Sequence, residues 1–137
     1  MVKVVLTPTI SIDLNEPKEK TLKAFLIDPY AMTVTETTYS GDYNDIYEKI
    51  DCEIFACVTF NDDEDTIFID DEGLVNGKEQ AFFRVIDTPQ GNTYPLVGKG
   101  LVLGTNEDGE SVEPKITLEK LKKQIQFIPP ILVKQFV

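Results

Sequence analysis

The chain has 137 residues, with 13 basic and 24 acidic side chains, no histidine and a formal charge of -11. That length suits one domain with a sizeable core, and a composition that is 42% hydrophobic and 27% charged is that of a soluble globular chain. Lack of histidine excludes His-based acid–base catalysis, Ser-His and Cys-His nucleophile pairs and most zinc sites, and two cysteines cannot build a disulfide scaffold.

Residues 1–12 alternate loosely and carry β-branched side chains, so a strand or extended arm is expected there. Residues 13–20 form a polar connector that could leave residues 1–20 as an N-terminal arm. Leu22–Asp28 is a mostly apolar strand. Asp28-Pro29-Tyr30-Ala31 is a turn with proline at its favoured second position, and the Thr-rich run Met32–Tyr39 returns as a hairpin partner. Ser40-Gly41-Asp42 offers a helix cap. Tyr43, Ile46, Tyr47 and Ile50 then recur at helical spacing, so a helix with a core-facing stripe is expected, both tyrosines inward.

Glu53–Phe60 and Thr66–Asp70 are strands joined by the acidic turn Asn61–Asp65. Gly73, after Asp70-Asp71-Glu72, suits a positive φ. Ala81–Asp87 is a further strand, followed by the Pro/Gly-rich connector Thr88–Pro95. Gly100–Gly104 is a short buried strand, and Glu110–Glu113 its partner across the turn Asn106–Gly109. Thr117 caps a last helix with Leu118, Leu121 and Ile125 inward and Lys120, Lys122 and Lys123 outward. An apolar tail, residues 128–137, follows through Pro129-Pro130. The expected fold class is α+β: one domain over 1–137, a mostly antiparallel sheet, and two short helices packed on one face.

The charge is unevenly spread. From Glu36 to Glu72 there are 13 acids and a single base, Lys49, whereas the rest of the chain nets +1. Such a segment repels phosphate, so direct nucleic-acid binding is not expected; a basic protein partner is. The residues assigned to that contact are Asp42, Asp45, Glu48, Asp62, Asp63, Glu64, Asp65, Asp70, Asp71 and Glu72. Ile131, Leu132, Val133 and Phe136 in the apolar tail are assigned either to the domain's own sheet or to a second copy, giving a homodimer.

Several motifs point to chemistry only on the surface. Gly98-Lys99-Gly100 and Gly104 look like a phosphate loop, but such a loop must open a helix, and here it frames Leu101-Val102-Leu103, a strand. The acidic turns do not keep the acid and glycine positions of a calcium loop. Cys52 and Cys57 are an odd number of residues apart, which on a strand directs them to opposite faces and disfavours a bridge. Arg84, the one arginine, is expected in an internal ion pair. No metal, cofactor or catalytic residue is assigned. Met1–Leu6 lacks the long apolar core of a signal peptide and no run is long enough to span a membrane, so a cytoplasmic protein is expected.

Lys23-Ala24-Phe25-Leu26-Ile27-Asp28-Pro29, Ile69–Leu74 and Gly98–Gly104 make the stretch 22–127 similar to a family of small uncharacterised proteins from phages and mobile elements of bacteria. That resemblance implies a phage-type accessory protein acting in a bacterial cytoplasm, and it transfers no activity to any residue. Taken together, the expectation is a non-enzymatic acidic protein that binds, and in doing so blocks, a basic host or defence factor, its acids imitating the charge of DNA. A small-ligand or nucleotide-binding module using Thr88–Pro95 and a cleft between subunits is the alternative, and a metal-dependent enzyme the third reading.

Overall fold

The computed structural model describes residues 21–72 and 79–132. The N-terminal arm, Gly73 and Leu74, and the end of the tail from Val133, including Phe136, lie outside the described residues. Among the described residues, nine strands and two helices follow in chain order: β1 Leu22–Asp28, β2 Thr33–Tyr39, α1 Tyr43–Ile50, β3 Phe55–Thr59, β4 Thr66–Asp70, β5 Glu79–Val85, β6 Leu96–Val97, β7 Gly100–Thr105, β8 Ser111–Val112, α2 Leu118–Gln124 and β9 Ile125–Leu132.

The larger sheet runs β2-β1-β7-β4-β3, with β8 added to the far end of β7. All its pairings are antiparallel. The most uniformly apolar strand, β7, lies in the middle, where both of its faces are covered; residues 100–104 are all buried. Alternation along the strands then divides the core in two. Phe25, Ile27, Ile67 and Val102 point to one side, with Phe83, Val85, Leu121 and Ile125 packed on them. Ala24, Phe68, Leu101 and Leu103 point to the other, under Ile46 and Ile50 of α1.

The two helices therefore sit on opposite faces of this sheet, and the expectation of one shared helical face is corrected. The physical reason is that β7 is apolar on both sides, so each face needs a cover. On the α2 side most of that cover is a second, three-stranded sheet, β6-β5-β9. Gly100 lets the two sheets touch. A Cβ there would meet Ile67 Cγ2 and Phe83 Cζ at 2.8 Å, so glycine is required by close approach.

The tail residues Ile128–Leu132 continue β9 along β5, with Ile131 opposite Gln80 and Leu132 opposite Glu79. Of the two fates expected for the tail, this part takes the domain's own sheet. Prolines 129 and 130 do not stop the strand, because both fall in a bulge where two residues of β9 oppose Ala81 alone. A bulge on an edge strand is where a missing N–H costs least.

Both helices carry the expected caps. Asp42 accepts from the Asn44 N–H at α1, and Thr117 accepts from the Lys120 N–H at α2. Ile46 and Ile50 are buried, but Tyr43 is 63% exposed and is corrected from core to surface, lying edge-on to Phe55. Arg84 bonds across the sheet to the Gln126 side chain rather than to a carboxylate. Both cysteines are free; Cys52 packs under α1, and only Cys57 lies on a strand.

Candidate functional site

The acidic segment Glu36–Glu72 folds into the end of β2, α1 and the β3–β4 hairpin, and its carboxylates separate into two kinds. The first kind is engaged in the fold. Asp42 caps α1. Asp45 accepts from the Ser40 N–H at 2.9 Å and from Lys49 at 3.0 Å. Burial works against its charge, but the Ser40 amide and the Lys49 ammonium outweigh that and hold its carboxyl below the usual range. Asp51 pairs with Lys99 at 2.9 Å, and this bond, against some burial, holds the Lys99 ammonium above its ordinary range. Asp70 accepts from the Glu72 N–H in a tight turn.

Asp65 is the extreme case. It is 0% exposed, and its Oδ1 accepts from the Lys115 N–H at 2.8 Å. Its Oδ2 accepts from the Ile116 N–H at 2.9 Å and from Asn61 Nδ2 at 3.0 Å. This carboxylate ties the hairpin turn to the segment that leads into α2. It cannot meet a partner, and its place among the contact residues is corrected. Sequence alone did not separate it from its neighbours, because the amides that enclose it lie 50 and 51 residues away.

The second kind is exposed, its carboxylates making no hydrogen bond or ion pair to another described residue: Glu36 on β2, Glu48 on α1, Glu53 just before β3, Asp62, Asp63 and Glu64 at the hairpin tip, and Asp71 and Glu72 at the other end of β4. The tip and the far end are separated by the length of β4, about 17 Å at ~3.4 Å per residue. That exceeds the screening length of about 8 Å at physiological salt. The exposed acids of the hairpin therefore form two acidic poles, one at each end of it, rather than one continuous surface.

Between the poles lies β3, the outer strand of the sheet. Ile54 just before it is 51% exposed, and Cys57 is exposed. Burial pushes the Cys57 thiol up from its ordinary range. For Cys52, burial first and then the nearby carboxylates of Asp70 and Asp51 push the thiol up to about 11. Neither thiol is an activated nucleophile.

Clefts adjoin both poles. At the tip, a cleft of about 550 Å³ is enclosed by Asp62 and Asp63, by Asp87, Thr88 and Pro89 of the connector, and by Lys115 and Lys120. Asp87 comes from outside the acidic segment, and no spacing rule connects it to the tip. At the far pole, a groove of about 510 Å³ runs between Ile69 and Pro95-Leu96-Val97, with Asp70, Asp71 and Glu72 at its rim. Among the described residues no three His, Cys, Asp or Glu side chains converge to hold a metal ion, and no helix is long and apolar enough to cross a membrane.

The stretch 22–126 matches the family described as a domain of unknown function, DUF3846, and the chain belongs to that family. The match spans β1 through the start of β9. No curated protein and no solved structure matches the chain.

Proposed function

We propose that this is a non-enzymatic interaction protein that binds a basic protein through the two acidic poles of the β3–β4 hairpin, as a phage-type accessory or inhibitor factor in a bacterial cytoplasm. One observation carries the reading. The acids that the fold needs are each matched to a donor, whereas the carboxylates of Asp62, Asp63, Glu64, Asp71 and Glu72 are exposed and accept from no described donor. Like charges held together cost folding energy, so a surface serving only the fold would intersperse lysines among them. A basic protein surface built to take phosphates accepts such carboxylates in their place, which is how an acidic protein imitates DNA. A homodimer through the tail is a lesser element of the reading.

The nucleotide-binding alternative uses the tip cleft, where the Thr88-Pro89 connector and two lysines do meet. Asp62, Asp63 and Asp87 outnumber Lys115 and Lys120 there, so the cleft favours cations over phosphates. The test is capture of basic proteins on the immobilised full chain across a salt series. The comparison is Asp62→Asn with Asp63→Asn and Glu64→Gln, leaving Asp65 intact. Capture that falls with salt and with the triple variant is expected. Equal capture by both proteins at every salt concentration refutes the reading, and a thermal upshift with a nucleotide supports the alternative.

A further inference from the structure

We infer that the partner is held by strand addition: an extended segment, apolar at alternate positions and carrying Lys or Arg at both ends, pairs with the outer edge of β3. This rests on the acidic reading for the charge of the segment, and on the edge itself for its conformation.

The register defines the edge. The Asp71 N–H donates to the Ile54 carbonyl at 2.9 Å, and the Phe60 N–H to the Asp65 carbonyl at 3.1 Å. Ile54, Ala56, Val58 and Phe60 therefore face β4 with their backbone groups. By antiparallel alternation, the N–H and C=O of Phe55, Cys57 and Thr59 point away from the sheet. Among the described residues no strand lies beyond them.

Sheet edges are normally blunted by lysine, proline, polar side chains or a covering element. The opposite edge, β2, is blunted: Thr33, Thr35, Glu36 and Thr38 are exposed on it, and α2 packs against it. Strand β3, Phe-Ala-Cys-Val-Thr, has neither Lys nor Pro. Among the described residues it is a mostly apolar ladder with no strand on its outer side.

Charge selects the occupant. Glu53, Asp71 and Glu72 lie at one end of β3 and Asp62, Asp63 and Glu64 at the other. Antiparallel pairing of two copies about Cys57 would bring Glu53 of each against the tip acids of its partner, and this repulsion excludes a second copy. A strand with basic ends meets an acid at each end instead.

The groove adds side-chain selection. Ala56 pairs with Ile69, so only a methyl group stands between the added strand and the groove over Ile69, Leu96 and Val97. A Lys or Arg reaching across Ala56 can lay its stem on these apolar residues and its charge among Asp70, Asp71 and Glu72.

The experiment uses the full-length ¹⁵N-labelled chain and three nine-residue peptides of alternating Val and Thr. One has Lys-Arg at each end, one has Glu at the ends, and one is the basic peptide N-methylated at alternate core positions. The basic peptide should shift the amides of Phe55, Cys57 and Thr59 and slow their hydrogen exchange, with at least tenfold weaker binding for the other two. Cys57→Pro removes an outward N–H, replaces it with a ring carbon and breaks no bond to β4, and should abolish binding; Cys57→Lys, which keeps the backbone intact, should weaken it at least tenfold. If the basic peptide binds but perturbs only Asp62–Glu64, with no slowed exchange along β3, strand addition is overturned and the acidic reading survives. Equal binding of the Glu-ended peptide overturns the charge selection. No binding of any peptide overturns the inference, and salt-sensitive capture by the poles then decides the acidic reading separately.

Discussion

Replacing Asp65 is the sharpest test of how the acidic hairpin is anchored. Its carboxylate accepts three hydrogen bonds of 2.8–3.0 Å while fully excluded from solvent. Asp65→Ala deletes all three and leaves the N–H groups of Lys115 and Ile116 facing a void. A bond to a charged acceptor contributes about 1.5–3 kcal/mol, and an orphaned buried donor costs about 1–3 kcal/mol. These terms overlap, because each lost bond is also an orphaned donor, so the expected loss is about 3–6 kcal/mol. Against a typical total of about 5–15 kcal/mol, that is a large share of the fold's stability. Asp65→Asn keeps one acceptor oxygen, but its NH₂ faces a backbone donor, and a loss of about 2–3 kcal/mol is expected. Urea unfolding followed by circular dichroism measures both, with Asp63→Asn as the exposed control that should leave the midpoint nearly unchanged. An Asp65→Ala protein within about 1 kcal/mol of the parent would refute the anchoring argument.

Three further outcomes are expected. Gly100→Ala, which presses on Ile67 and Phe83 side chains at 2.8 Å, should cost about 1–3 kcal/mol, and Gly104→Ala should cost more, because its Cβ meets the backbone oxygen of Glu113 at 2.6 Å; thermal melts rank the pair. Thr117→Ala removes the acceptor for the Lys120 N–H and should cost about 1 kcal/mol in the same assay, whereas Thr117→Asn should cost little. Thiol alkylation followed from pH 7 to 11 should remain slow at neutral pH for both cysteines and should rise for Cys52 only as pH nears about 11, since a raised pKa keeps the thiol protonated below it; fast labelling of Cys52 at pH 7 would contradict its packed setting.

Much of the fold was legible because it is written in local periodicity. Leu22–Asp28 and Thr66–Asp70 alternate or run apolar between turn residues, and they are strands with those bounds. The stripe Ile46 and Ile50 and the caps Asp42 and Thr117 are spaced by the helix itself. Leu96–Val97 is too short to carry a pattern, and Pro129-Pro130 looks like an end to any strand until its partner supplies a bulge. The sidedness of the helices was not legible either, since an apolar strand such as β7 does not say which of its two faces each helix will cover.

The sequence by itself determined the composition of the candidate site: one segment, Glu36–Glu72, with a net charge of -12, carried mostly by a helix and one hairpin. Tertiary structure decided which of those acids are free. Asp65 and Asp63 are equivalent by any local rule, yet one is enclosed by amides from a segment fifty residues away and the other faces water. Tertiary structure also decided that β3 is outermost among the described strands, because strand order follows from which apolar strand takes the centre, and that competition is settled by burial on both faces rather than by neighbours in the chain.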